Sequence, residues 1–191
     1  AYLTITVLEP VATVVYVPEN ITLTRGEDNA SIVPMLGGGM VASWSISPEL
    51  PEGMVFDNGS ITGVPLVNST NTTYTVTALN SGGTAIAFLN ITVVEPVAVL
   101  TFDQRFFGTR GETLFNATVN NTGGTVATWE IEPALPDGVG LWDGWLYGTP
   151  SVNLSETTFT IWANNSGGSA NITFTIEVIE PIVIIDYPEA E

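Results

Sequence analysis

Two halves of this chain are near-copies of one another, and that limits its fold more than any other feature. GGMVASW (Gly38–Trp44) returns 85 positions later as GGTVATW (Gly123–Trp129), and ISPELPEG (Ile46–Gly53) returns as IEPALPDG (Ile131–Gly138). TRGE begins at Thr24 and again at Thr109, and NSGG at Asn80 and Asn165. The triplets Leu8-Glu9-Pro10, Val94-Glu95-Pro96 and Ile179-Glu180-Pro181 bracket the copies. Self-similarity at one fixed spacing means one structural module per copy. The predicted division is a terminal strand over 1–9, repeat 1 over 10–95, repeat 2 over 96–180 and a second terminal strand over 181–191.

Each copy reads as all-β. Short runs alternate apolar and polar residues with period two, between clusters of Gly, Pro and Asn. Leu89, Ile91 and Val93 are expected to point inward and Asn90 and Thr92 outward; in the twin strand Phe174, Ile176 and Val178 are the inward set. About seven strands in each copy describe an immunoglobulin-like sandwich, with Trp44 and Trp129 where such folds bury a tryptophan on the third strand. The fold class is therefore two tandem β-sandwiches with an orphan strand at each end.

The skeleton W-x-I-x-P-x-L-P-[ED]-G, present in both copies and followed by a short hairpin ending in G-x-P, carries a resemblance. Its residues are Trp44, Pro48, Leu50, Pro51, Gly53, Gly63 and Pro65, then Trp129, Pro133, Leu135, Pro136, Gly138, Gly148 and Pro150. This pattern resembles the putative immunoglobulin / cadherin-like tandem repeat family of bacterial and archaeal surface proteins. The resemblance implies tandem extracellular spacers, stalks or adhesive arrays. Cadherin relatives hold calcium with clustered junction carboxylates; each junction here offers one Glu, so that property does not transfer.

Composition narrows the chemistry. Three Arg, no Lys and no His face 20 carboxylates, for a net charge of −17. Such a surface repels nucleic acid and anionic lipid. Without Cys or His there is no disulfide, thiolate nucleophile, Ser-His-Asp triad or His-ligated metal. No apolar run approaches the ~20 residues that span a bilayer. No carboxylate spacing picks out a catalytic pair, and no Asp-x-Asp-x-Asp-Gly loop offers calcium its converging oxygens. A non-enzymatic protein with no cofactor is predicted, calcium near Asp57 and Asp143 being the one exception carboxylates leave open.

Eleven of 14 asparagines stand in Asn-x-Ser/Thr, the acceptor pattern for N-linked glycans. Predicted attachment sites are Asn20, Asn29, Asn68, Asn71, Asn90, Asn116, Asn120, Asn153, Asn164 and Asn171; Asn58 also matches but sits in a predicted tight turn. Sugars imply an extracellular, cell-surface location, and a secreted chain without Cys suggests a prokaryotic, archaeal surface.

Two features point to partners. Leu3, Ile5 and Val7 form an apolar stripe at one end, and Ile182, Ile184 and Tyr187 another. Burying three aliphatics is worth about 5–8 kcal/mol, and an unpaired strand invites pairing. Either the stretch is cut from a longer array, the segments being the last strand of one missing repeat and the first of another and each folding back on its neighbouring sandwich, or a terminal strand is a donor that adds to a sheet of another copy and builds a head-to-tail filament. The expected partners are accordingly adjacent repeats or copies of itself. The second feature is the hairpin GLWDGWLYGTP (Gly140–Pro150), with Trp142 and Trp145 flanking Asp143-Gly144, where the twin has Asp57 and Ser60. With Trp162, these tryptophans are predicted to be exposed. They would serve as a protein contact, a staple for the hairpin, or a sugar platform in a carbohydrate-binding or adhesin module. Arg25 and Arg110 are expected to pair with the neighbouring Glu27 and Glu112.

Overall fold

The structure, a computed structural model, describes residues 2–183. The chain divides into two compact units, Ala1–Pro96 and Val97–Glu191. In unit 1 the strands are β1 (Thr13–Val15), β2 (Asn20–Thr24), β3 (Ala30–Ile32), β4 (Met35–Gly37), β5 (Ser43–Ser47), β6 (Met54–Asp57), β7 (Ser60–Gly63), β8 (Ser69–Asn80) and β9 (Gly83–Val94). In unit 2 they are β10 (Leu100–Thr101), β11 (Arg105–Thr109), β12 (Phe115–Thr118), β13 (Asn120–Asn121), β14 (Thr128–Glu132), β15 (Val139–Trp142), β16 (Trp145–Gly148), β17 (Leu154–Asn165) and β18 (Gly168–Ile179). The described residues contain no helix long and apolar enough to cross a membrane.

Both units have one topology. A four-stranded sheet, β2-β9-β8-β5 or β11-β18-β17-β14, faces a three-stranded sheet, β3-β7-β6 or β12-β16-β15. β2 runs parallel to β9, and β11 parallel to β18. A short pair, β1-β4 or β10-β13, completes each unit. The seven expected strands appear as nine segments because the first two strands are each broken. In unit 1 the breaks contain Pro18 and Pro34, which lack the N–H a ladder needs.

The core follows the period-two pattern. Tyr74, Val76 and Ala78 on β8 and Ala87, Leu89, Ile91 and Val93 on β9 are buried. Phe159, Ile161 and Ala163 on β17 and Phe174, Ile176 and Val178 on β18 occupy the same places in unit 2. Unit 2 is the more aromatic: the Phe174 ring lies 5.2–5.7 Å from those of Phe102, Phe106 and Phe159. Trp44 and Trp129 are only partly buried, each leaning on its core from the third-strand position.

The recurrent motifs have identifiable work. NSGG closes the β8–β9 and β17–β18 hairpins, where the Asn80 side-chain oxygen accepts from Gly82 and Gly83 and Asn165 accepts from Gly167 and Gly168. Asp143-Gly144 and its twin Asn58-Gly59 have φ of 48°, 74°, 47° and 83°, the double left-handed turn that matches strand twist in a two-residue hairpin. A Cβ on Gly59 would lie 2.7 Å from the Trp44 ring, and one on Gly144 would lie 2.9 Å from that of Trp129. The two hairpins are thus clamped to their sandwiches by a tryptophan from the facing sheet.

Candidate functional site

The outer face of β12-β16-β15 carries the most distinctive side chains of the molecule. Leu146 is fully buried, so its neighbours Trp145 and Tyr147 must point outward along the alternating strand. Across the ladder, Tyr147 pairs with Asn116, and Trp145 with both Thr118 and Trp142. The rings of Trp145 and Tyr147 are 4.8 Å apart at an interplanar angle of 32°. Tyr147 lies across Gly140, where a Cβ would be 2.7 Å from its Cζ. The indole Nε1 of Trp145 donates to Asn116 Oδ1 at 2.8 Å. Trp142 remains 68% exposed and Trp145 39%.

The three predicted tryptophans do not form one patch. Trp162 pairs across the ladder with Glu130 and Asn171 on the outer face of the four-stranded sheet. Its flanking residues Ile161 and Ala163 fill the core. It borders a hollow with Glu130, Glu132, Asn164 and Ser169, on the opposite side of the sandwich from Trp142 and Trp145. Sequence reasoning also passed over Tyr147, which alternation two residues beyond Trp145 could have revealed.

Arg25 and Arg110 do not pair with Glu27 and Glu112. Arg25 reaches Glu95 at 2.6 Å and Arg110 reaches Glu180 at 2.6 Å, each 70 positions away. The reason is the parallel pairing of β2 with β9 and β11 with β18, which brings the start of each unit beside its end. Asn68 and Asn153 donate to the second oxygens of those glutamates, at 3.0 and 2.7 Å. Asn153 and Arg110 together hold the Glu180 carboxyl below its usual range. Arg105, the third cation, bonds Glu177 at 2.8 Å. The cations are structural ties, and the spacing of Arg to junction Glu was the signal that would have found them.

Every predicted glycan acceptor is at least partly exposed. Asn68, Asn90, Asn120, Asn153 and Asn164 use Nδ2 to donate to protein oxygens. Asn20 accepts from Asn90 through Oδ1. Asn29, Asn71 and Asn171 are exposed. Among the described residues, Asn116 is the acceptor whose carbonyl is held by an indole.

Among the described residues, 2–9 belong to no strand; Leu3, Ile5 and Val7 are each at least 75% exposed. Of that segment, Glu9 touches its sandwich, accepting from the Met40 N–H at 2.7 Å. Folding back onto the neighbouring sandwich is therefore not what the apolar stripe does here. Ile182 is 88% exposed; Ile184 and Tyr187 lie outside the described residues. Unit 1 adds an apolar surface that the sequence reading missed: Met35, Leu36 and Met40 are exposed, and Leu36, Met40 and Trp44 border a depression of about 440 Å³. No cluster of three or more metal-ligating side chains occurs among the described residues.

A family model described as "Putative Ig domain" matches twice, over residues 10–94 and 105–179. The chain belongs to that family. Among solved structures, the Ig-family chain is similar to Drosophila OTK extracellular domains 3-5, at 17% identity over 87% of this chain and 62% of that one, with a TM-score of 0.53. It is also similar to the N-terminal four Ig domains of Dscam1 isoform 9.44, at 13% identity over 92% of this chain and 47% of that one, with a TM-score of 0.56. It thus spans less than two thirds of either chain, and the likeness is one of fold. No curated protein matches the sequence.

Proposed function

We propose that this chain is a non-enzymatic, extracellular structural element, a subunit or segment of a cell-surface filament, stalk or array whose copies join head to tail by terminal β-strand addition. The observation that carries the reading is the exposed stripe of Leu3, Ile5 and Val7. Apolar side chains alternating along an unpaired extended segment are what a sheet edge accepts, the main chain supplying the hydrogen bonds and alternate side chains the specificity. A donor and an acceptor at different places on one chain form a heterologous contact, which propagates instead of closing. A surface of charge −17 discourages sideways association. Tandem Ig-like units and an abundance of glycan acceptors both agree with this location.

The test compares the full chain with one lacking residues 1–9, by analytical ultracentrifugation and negative-stain imaging. Linear assemblies of the full chain and monomers of the shortened one are expected. Monomers in both, or assemblies in both, would overturn strand addition.

A second reading follows from the Trp145–Tyr147 ring pair beside Trp142: an adhesin or carbohydrate-binding module. It predicts retention on immobilised glycans that is lost in Trp145→Ala while assembly is unaffected.

A further inference from the structure

We propose that Asn116 carries an N-linked glycan whose first sugar lies on the Trp145–Tyr147 ledge of the same unit, so that the aromatic cluster is occupied by the protein's own carbohydrate. This rests on the extracellular reading above, because the acceptor must meet a glycosyl transferase.

The geometry singles out one atom. An indole Nε1–H can only donate, so the Asn116 atom it meets at 2.8 Å is the carbonyl Oδ1. The amide is thereby oriented, and Nδ2 has no partner among the described residues. Asn116-Ala117-Thr118 is the acceptor triplet, and Thr118 also stands on the outer face, opposite Trp145. Transfer forms a bond from Nδ2 to the sugar's anomeric carbon and breaks that carbon's bond to oxygen in a lipid-phosphate-linked donor. The lipid phosphate leaves with the bonding pair, and one amide proton passes to the transferase's base. Nδ2 keeps its second proton and Oδ1 keeps its indole donor.

The attached sugar then has a surface waiting beside it. Directly opposed residues on one face stand ~5 Å apart between Cβ atoms, and Asn116 is directly opposed to Tyr147. The Trp145 and Tyr147 rings, with centroids 4.8 Å apart and 32° from parallel, are too close to lie side by side; they overlap, and the outward face of the pair is what the sugar meets. Such a face is electron-rich and attracts the polarised C–H bonds of a sugar's apolar side. Gly140 leaves room for the Tyr147 ring to lie flat. On its other side Asn116 borders a depression of about 390 Å³ shared with Thr101, Asp103, Thr118 and Asn120, which offers polar partners to sugar hydroxyls.

The twin unit supplies the control. At the places of Asn116, Trp142, Trp145 and Tyr147 it has Ser31, Asp57, Ser60 and Thr62. The acceptor and all three aromatics are present in one unit and absent from the other, on the same hairpin backbone. A staple for the hairpin does not account for that, since the unit 1 hairpin keeps its turn without any of them.

The experiment secretes the full chain from a glycosylating host, maps occupancy by glycopeptide mass spectrometry, and follows release of each glycan by a peptide amidase under native conditions. Asn116 is expected to be occupied, with its glycan released roughly fivefold or more slowly than those at Asn29 and Asn71, a ratio that one aromatic contact supports. Trp145→Ser should remove the delay at Asn116 alone. Trp142→Asp and Tyr147→Thr, which also copy the twin, provide independent variants should the first unfold, as judged by thermal melts. An empty Asn116 with Asn29 and Asn71 occupied overturns the inference and leaves the extracellular reading standing. Equal release rates with and without the aromatic residues overturn it too. No occupied acceptor at all overturns both.

Discussion

The two β-hairpins at Asp57–Ser60 and Trp142–Trp145 have the same backbone and opposite surfaces. Both turn through a pair of left-handed residues, and both have their glycine pressed against a tryptophan from the facing sheet. One then displays small polar side chains and the other a ledge of aromatics. A similar contrast lies beneath. The Gly59 carbonyl accepts from the Tyr16 hydroxyl at 2.6 Å, whereas the Gly144 carbonyl accepts from the Val119 N–H at 2.9 Å. Pro34 stands where Val119 does and has no N–H; Phe102 stands where Tyr16 does and has no hydroxyl. Each unit satisfies the same buried carbonyl by the donor the other lacks. The lesson is that backbone obligations are met in both units by whatever chemistry is at hand, while the outer faces, which carry no packing duty, are free to diverge. Met35, Leu36 and Met40 against Asn120, Asn121 and Thr125 is a further divergence of that kind.

The shared part of the comparison should break hardest. Gly59→Ala or Gly144→Ala places a Cβ on a left-handed residue and against an indole ring, and each should destabilise its own unit by about 3 kcal/mol. Urea unfolding of the full chain separates them, since Trp44 is the one tryptophan of unit 1. A loss under about 1 kcal/mol would mean the turn is not obligatory.

Next is the swapped donor. Tyr16→Phe leaves a buried carbonyl without its partner and should cost unit 1 ~1–3 kcal/mol. Adding Pro34→Val should recover much of that by supplying the N–H used in unit 2. No recovery in the double variant would show that the two solutions are not equivalent.

Alkaline pH should then distinguish the units. Burial pushes the Tyr16 hydroxyl up to about 12 and raises that of Tyr74 as well. An unfolded tyrosine ionises near pH 10, so above that value the unfolded state binds fewer protons than the folded one and stability falls as pH rises. Unit 1 should lose stability between about pH 10 and 12, and Tyr16→Phe should flatten the slope. Phe102 and Phe159 occupy those places in unit 2, which lacks this contribution. Denaturant midpoints measured across that range check both statements.

The smallest effect concerns the ties between the start and end of each unit. Arg25→Ala removes a partly shielded pair, 35% and 13% exposed, and should cost about 1 kcal/mol. Arg110→Ala, with Glu180 59% exposed, should cost less and the loss should vanish in high salt. Thermal melts at two ionic strengths would reveal the order, and an inverted order would contradict the shielding argument.

The repeat, the all-β pattern and the inward residues of β8, β9, β17 and β18 were legible in the sequence because side chains alternate strictly along a strand, and burial of one face imposes that period on composition. The two hairpin turns were equally legible, since only a few residues tolerate two left-handed positions in succession. The partners of Arg25 and Arg110 were not, because proximity in sequence pointed to Glu27 and Glu112 while the parallel strand pairing chose Glu95 and Glu180. Nor was the separation of Trp162 from Trp142 and Trp145, which depends on which sheet each strand joins. By itself, then, the sequence determined what must be buried and where the chain must turn, both being local requirements. The tertiary structure alone decided which distant side chains meet, and so brought Trp145 and Tyr147 beside Asn116, because strand pairing joins residues the chain keeps far apart.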